Sequence, residues 1–538
     1  MKKFKHYITI ACGILFILPL LLFGAPQDQT ETKPYKGVVH SLTADHHKFS
    51  VLQKKFSSPE EVTQACLSCH NEAAAQVQNT IHWKWVCPEA GDKKLGKRYV
   101  INNFCISIQA NEPRCTSCHA GYGWKDKNFD FSSEKNVDCL VCHDQTGTYK
   151  KFPAGAGYPV TKETKFGGKT WLPPDYNKVA QNIGRPKRDN CGTCHFYGGG
   201  GDNVKHGDLS SAMINPDFNL DVHMDHNGLN FSCTTCHTTH NHKISGRCYS
   251  HPAYNDCKEY ILPLKDDKKI ACASCHGLAP HDNNKLNDHI DKIACQTCHI
   301  PTYAKEKPTK MSWDWSKAGK FDKDGKMINK EGKYGKHSYM TMKGEFVWGK
   351  NVIPEYYWFN GSVSNTTIDS VLNPDEVVEI NKLHGSYNDA FAKIWPFKVH
   401  HGKQVYDAEY KHLVYPKLFG PKGSGAYWKD FDWQKSIEEG MKYAGKKFSG
   451  KYGFVETKMY WIISHQVAPK EQALKCQDCH RDKGRLDNLS GFYMPGRPAD
   501  HHSVVELIGS ILIIFTLLGV IIHGTIRFIM SSKEGRKS

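Results

Sequence analysis

Apolar residues are scarce in this chain of 538 residues, where only 39% are hydrophobic. The shortage matters most over 61–300, which is rich in Gly, Asn, Asp and Pro, as in Gly198-Gly199-Gly200-Gly201. Such a stretch cannot bury a conventional side-chain core, so something other than side chains must fill it. Acidic residues are also short, 55 against 71 Lys and Arg, leaving a formal charge of +16. Nor is any Cys-x-x-Cys followed by Lys.

What is abundant is cysteine and histidine, 21 and 30 of them. Cys-x-x-Cys-His occurs at Cys66-Cys69-His70, Cys115-Cys118-His119, Cys139-Cys142-His143 and Cys191-Cys194-His195. It recurs at Cys233-Cys236-His237, Cys272-Cys275-His276, Cys295-Cys298-His299 and Cys476-Cys479-His480. From the residue frequencies roughly 0.05 such pentads would arise by chance, so eight are a signal, and this spacing is that of c-type haem attachment. The two thiols form thioethers and the adjacent His reaches the iron. Eight haems would bring propionate charge on the order of −16, so the basic excess is answered by the chain's own cofactors rather than by nucleic acid. The porphyrins would then be the missing core.

Two apolar runs flank this body. Met1-Lys2-Lys3-Phe4-Lys5-His6 followed by Tyr7–Phe23 has the charged and apolar regions of a secretory signal. Phe23 and Pro26 make a cleavage after Ala25 unfavourable, so 1–25 reads as a signal peptide or an uncleaved anchor. Cys12 lies within the apolar run and is not a lipidation cysteine. The second run, 504–530, is long enough for a transmembrane helix and is followed by Lys533, Arg536 and Lys537. Positive residues stay cytoplasmic, so both ends place the body on the periplasmic side of a bacterial inner membrane. His523 and Arg527 sit near the cytoplasmic end of this helix, as a haem ligand shared with a partner or as residues snorkelling to the interface.

The expected fold is mainly α with long irregular loops, packed around eight haems. Seven pentads fall in 44–300. The region 301–491 carries the eighth and is expected to lend helices and ligands to its neighbours. Val377, Ile380 and Leu383, and then Ile437, Met441 and Ala444, have helical spacing, with Pro374 as a helix start. Lys317–Lys336 reads as an exposed turn cluster.

The second axial ligand decides what each iron does. A second His saturates it for electron transfer, and a weakly held position leaves it open for chemistry. Among the 22 histidines outside the pentads, His82, His223, His242, His281, His289, His400 and His465 are placed to serve, with His226, His240, His384 and His401 as rivals.

Longer motifs carry more information. Asn102-Asn103-Phe104-Cys105-Ile106-Ser107-Ile108, then Asn111-Glu112-Pro113-Arg114-Cys115 through Trp124, closely resembles octahaem tetrathionate reductase. So do Val137-Asp138-Cys139-Leu140-Val141-Cys142-His143-Asp144 and Gly198–Asp202 with Val204-Lys205-His206-Gly207-Asp208. The resemblance runs from about Ala44 to about Gly491. It implies a haem-packed fold related to hydroxylamine oxidoreductase, seven bis-His haems, and one haem, at the second pentad, that takes Lys205 as ligand beside Cys105. A ligating lysine must be neutral, which burial favours. Cys105 has other readings, a disulfide with Cys87 or apolar packing, and Cys248 and Cys257 are close enough in sequence to bridge. The C-terminal apolar run departs from soluble members of that family, and makes a quinol-oxidising membrane subunit a candidate electron donor besides another cytochrome.

The resulting expectation is a respiratory reductase acting on a small inorganic substrate. Tetrathionate is the first choice, with nitrite or hydroxylamine as alternatives. Candidate catalytic residues are Lys205 and Cys105, with His206 and Asp208 as proton donors by adjacency. The rival readings are hydroxylamine oxidation and a non-catalytic electron conduit.

Overall fold

The computed structural model describes residues 43–87, 94–246, 270–500 and 503–534. The N-terminal apolar run, Cys12, Cys248, Cys257, Arg536 and Lys537 lie outside the described residues.

The described residues of 43–300 form short helices, loops and two small hairpins, at 164–171 and 239–244. The helices include α1 (Pro59–Leu67), α2 (Ile81–Lys84), α3 (Glu112–Cys115) and α4 (Arg188–His195). The pentads themselves are helical turns. The His amide bonds back to the first Cys carbonyl in His70→Cys66 (2.8 Å), His143→Cys139 (3.1 Å), His237→Cys233 (2.8 Å), His276→Cys272 (3.0 Å) and His480→Cys476 (2.8 Å). Positions three and four apart share one helix face, so the turn presents both sulfurs and the imidazole together. The fourth and seventh pentads lie in α-helices, Arg188–His195 and Cys295–His299. The second pentad differs: Thr116–Cys118 is a 3-10 turn, and the His119 amide bonds to Thr116 O at 2.8 Å. The Thr116 hydroxyl ties it down on Glu112 O and Trp124 O, both at 2.6 Å.

The chain is not mainly α. Residues 309–462 carry a nine-stranded sheet of β1 (Thr309–Asp314), β2 (Asn329–Glu331), β3 (His337–Met340), β4 (Gly344–Gly349), β5 (Glu355–Phe359), β6 (Val378–Glu379), β7 (Lys393–Asp407), β8 (His412–Leu413) and β9 (Tyr452–Ile462). The strand order is β6-β9-β7-β1-β4-β3-β2, with β5 and β8 also paired to β7. The long β7/β9 pair is antiparallel, from Phe397↔Ile462 to Asp407↔Tyr452, and β7/β1 is parallel.

The helix expected over 374–396 is therefore corrected. Val377, Ile380 and Leu383 keep a spacing of three, yet Ile380 N bonds to Lys458 O of β9, and Pro374 lies in a turn. Pairing with a long ready-made strand overrides a local apolar period. The spacing of Ile437 and Met441 does give a helix, α5 (Trp433–Ala444), capped by Asp432 at its start and Gly445 at its end. Together α5 and the sheet bury the main hydrophobic core, with Trp313, Trp315, Val405, Leu413, Ile437 and Val455. Over 43–300 there are only smaller clusters, such as Leu52, Phe56, Val62, Leu140 and Val179. The exposed turns of 317–336 match the reading of that stretch. Helix α6 (Ser503–Glu534) is the one helix among the described residues long and apolar enough to cross a membrane, and its apolar side chains are exposed.

Candidate functional site

Two imidazoles that ligate one metal from opposite sides, at about 2.0 Å per bond, have ring centroids about 6.2 Å apart. Seven pentad histidines meet that test. The pairs are His70–His46 (6.4 Å), His195–His82 (6.2 Å), His143–His242 (6.5 Å), His276–His223 (5.9 Å), His237–His465 (6.3 Å), His299–His281 (6.0 Å) and His480–His289 (6.1 Å). Each joins one pentad imidazole to one from elsewhere. The donor set fits a bis-imidazole haem at each of these seven pentads.

Local structure positions the non-pentad partners. His82 rides on α2, and His289 ends the helix Asn284–His289. His242 follows Asn241 at the tip of a hairpin, where φ of 48° and 61° at the two residues give a turn that matches strand twist. His46 stands on a 3-10 turn capped by Asp45. Sequence reasoning misses His46, because its segment carries no motif of its own. Of the rivals, His226 bonds to Pro216 O at 2.8 Å and His384 to the Ser364 hydroxyl at 2.6 Å.

The cysteines give the pentads an order in space. Thiols lie within hydrogen-bonding reach between Cys66 and Cys139, Cys118 and Cys194, Cys191 and Cys233, and Cys272 and Cys295. Cys142 also neighbours Cys191, Cys236 neighbours Cys275, and Cys298 neighbours Cys479. The pentads thus run first–third–fourth–fifth–sixth–seventh–eighth, and the second joins at the fourth.

His119, in that second pentad, has no imidazole opposite it among the described residues. It is 1% exposed, walled by Trp83 (4.8 Å), Trp124 (4.9 Å), Trp85 and Phe129 (both 5.5 Å). Burial and the nearby Lys151 ammonium pull its pKa down to about 3. Its Nε2 bonds to Trp83 O at 2.7 Å, and its Nδ1 is buried without a partner. In His143, His237 and His480 it is Nδ1 that meets a carbonyl and Nε2 that is left open, so the His119 ring is turned the other way from those pentad rings. Behind it, buried Lys151 donates to His119 O and Gly121 O and pairs with Asp138 at 3.0 Å.

Lys205 follows a glycine turn in which Gly199 and Gly200 have φ of 77° and 93°. Its Nζ lies 4.4 Å above the Trp461 ring, and its charge acts on Cys118 of the second pentad. Buried Lys398 fixes the backbone there, donating to Val204 O and Lys205 O at 2.9 Å and to the Thr309 hydroxyl at 2.6 Å. Cys105 is half-buried beside Cys115 and close to the amines of Lys310 and Lys343, whose pKa values burial lowers. Its loop is strained: Ile106, fully buried and β-branched, has φ of 65°. Such outliers cost about 1–3 kcal/mol and gather at functional sites.

His400 was expected to pair with a pentad imidazole, and the structure does not bring it to one. It lies on β7, stacked on Phe104 at 3.9 Å, with Nδ1 3.0 Å from Asn103 Oδ1 and a buried, unpartnered Nε2. Antiparallel register puts Lys398 opposite Trp461 and His400 opposite Met459, so one sheet face forms a polar floor under Phe104 and Lys205. Sequence reasoning missed Lys398 and Trp461 because strand neighbours from distant segments leave no spacing signal. His206 is half-buried against Trp461 (5.1 Å), where desolvation and the adjacent Lys205 push its pKa down. Asp208 is turned away from Lys205 toward His465.

A crystal structure of an octahaem cytochrome c from Shewanella oneidensis matches with a TM-score of 0.72 and 46% identity, over 82% of this chain and 94% of that one. The chain belongs to the octahaem cytochrome c family. A family model for bacterial cytochrome c also matches this octahaem cytochrome at residues 310–483. An uncharacterized protein of Archaeoglobus fulgidus is 22% identical over 287 residues, 45% of this chain and 93% of that one. The cytochrome therefore carries covalently bound c-type haems and serves electron transfer or redox chemistry.

Proposed function

We propose that this cytochrome is a membrane-anchored respiratory reductase with eight haems, one of them catalytic. The observation that carries the reading is the asymmetry among pentads: seven have an imidazole facing them, and His119 has none among the described residues. In that scheme the His pairs hold seven irons closed, and Lys205 stands as the weaker counterpart of His119. The attached haems supply the electron path and, at the second pentad, the site where a small substrate binds.

The residues around that site suit an anionic, oxidised inorganic substrate. Lys310 and Lys343 lie near Cys105, Lys398 holds the Lys205 backbone, and Asp208 is engaged with His465, so amine donors rather than that carboxylate line this region. Tetrathionate, cleaved by two electrons to two thiosulfates, is the first assignment, in keeping with the resemblance at Asn102–Trp124 and Gly198–Asp208; nitrite and hydroxylamine are the alternatives. Lys398 and Trp461 position Lys205, and Cys105 offers a sulfur beside the substrate. Helix α6 anchors the body on the periplasmic face, within reach of a quinol-oxidising partner.

The test is anaerobic oxidation of reduced viologen with tetrathionate, nitrite and hydroxylamine in turn. Lys205→Ala is expected to abolish turnover while the haem content stays at eight. Full activity in Lys205→Ala would overturn the site assignment. Wild-type protein that turns over none of the three substrates would favour a conduit instead.

A further inference from the structure

Asp208 sits three residues after Lys205, but its carboxylate serves another pentad. It is 1% exposed, and Oδ2 accepts three hydrogen bonds: from Ser464 N (2.8 Å), His465 N (3.0 Å) and His465 Nδ1 (3.0 Å). A carboxylate offers only lone pairs, so His465 Nδ1 must carry the proton and Nε2 the open lone pair. The His465 ring then stacks across from His237 at 6.3 Å and an interplanar angle of 23°.

No other facing imidazole has this arrangement among the described residues. His242 Nδ1 meets the Gln76 amide oxygen (2.9 Å), His281 Nδ1 the Asn287 amide oxygen (3.2 Å), and His289 Nδ1 the Lys285 carbonyl (2.5 Å). His223 lies 3.9 Å from Asp221, beyond hydrogen-bonding distance, and its side chain is partly exposed. A buried carboxylate on the outer nitrogen of a metal-bound imidazole makes that ligand a stronger donor and favours the more oxidised metal. A neutral amide or peptide oxygen does so less.

The order of pentads gives the fifth a special place. It neighbours the fourth through Cys191–Cys233 and the sixth through Cys236–Cys275. We propose that Asp208 is a positioning residue that holds His465 and lowers the reduction potential at the fifth pentad, which lies between the fourth and the sixth. This rests on reading His237 and His465 as the axial pair of that pentad. Gly207, with φ of 94° and a would-be Cβ only 2.8 Å from the Tyr303 ring, lets the chain turn tightly enough for Lys205 and Asp208 to face different pentads.

The test is a spectropotentiometric titration of the full-length, eight-haem protein and its Asp208→Asn and Asp208→Glu variants. In Asp208→Asn, one transition of the eight is expected to move to higher potential while the low-spin spectrum and haem count stay unchanged. Asp208→Glu should bring that transition back toward the wild-type value. Unchanged potentials in Asp208→Asn would overturn the proposal. Wild-type protein supplies an independent reading: one low-spin electron paramagnetic resonance signal should show a narrower g spread than the other bis-imidazole signals, and its absence would equally count against the proposal. His465→Ala separates the two layers. If it creates no new high-spin haem, the axial assignment has failed; if it does, and Asp208→Asn still moves nothing, only the role of Asp208 has failed.

Discussion

Replacing His46 tests the ligand scheme where sequence and structure part company. The His46 ring stands 6.4 Å from His70, within a few tenths of the separation expected for two imidazoles on one iron. His400, expected as a ligand from the haem-poor segment, instead stacks on Phe104 and has no ring contact with a pentad histidine among the described residues. With eight pentads in the chain, loss of one axial imidazole should convert about one eighth of the haem to the high-spin form. Magnetic circular dichroism of the oxidised protein measures that fraction against wild type. His46→Ala is expected to raise it by that eighth, and His400→Ala to leave it unchanged. His46 is partly exposed on a short 3-10 turn, so its removal leaves the folded body intact. A rise in His400→Ala with none in His46→Ala would refute the pairing and return His400 to the ligand set.

Three further outcomes follow from the same structure. Lys151 and Asp138 are buried at 1% and 0% side-chain exposure, so Lys151→Met should strand a buried carboxylate and cost about 3–5 kcal/mol in denaturant unfolding, and adding Asp138→Asn should recover part of the loss. Burial raises the Glu112 carboxyl from 4.5 to about 7, so stability is fully present below the ordinary carboxylate range and falls as pH rises through 7, by up to on the order of 3 kcal/mol. Glu112→Gln, which keeps a partner for the Tyr443 hydroxyl, should flatten the unfolding midpoint between pH 5 and 8. A chain ending before Ser503 should leave the membrane fraction while keeping viologen-linked activity, and continued membrane retention would count against α6 as the anchor.

The pentads were legible because covalent attachment demands fixed letters at fixed spacing. The facing histidines were partly legible because His82, His242 and His289 lie near pentads in the chain, and a short helix or hairpin tip then has few places to go. His46 escaped notice because its segment has no motif of its own. His400 misled because a conspicuous histidine in a haem-poor stretch looks like a donated ligand, whereas β7 uses it to floor the loop of Cys105. The sheet was the larger omission. Its two longest strands pair residues 45 to 65 apart in the chain, and the apolar spacing at Val377, Ile380 and Leu383 fits a helix until Ile380 is seen bonded to β9. Lys398 belongs with these: a lysine in a strand carries no sign that it holds the backbone of Lys205.

The spatial order of the pentads has a consequence for how charge is supplied. A simple string delivers electrons in single file, and each must clear the last position before the next arrives. Here the fourth pentad borders three others, the second, third and fifth. If the second pentad holds the proposed catalytic haem, the fourth would be a node with two feeders and one outlet. One equivalent can wait on the side of the first and third while another waits toward the eighth, and neither blocks the other. A two-electron cleavage at the outlet would then be limited by the node, so damage at Cys191 or Cys194 would starve the site from both directions at once.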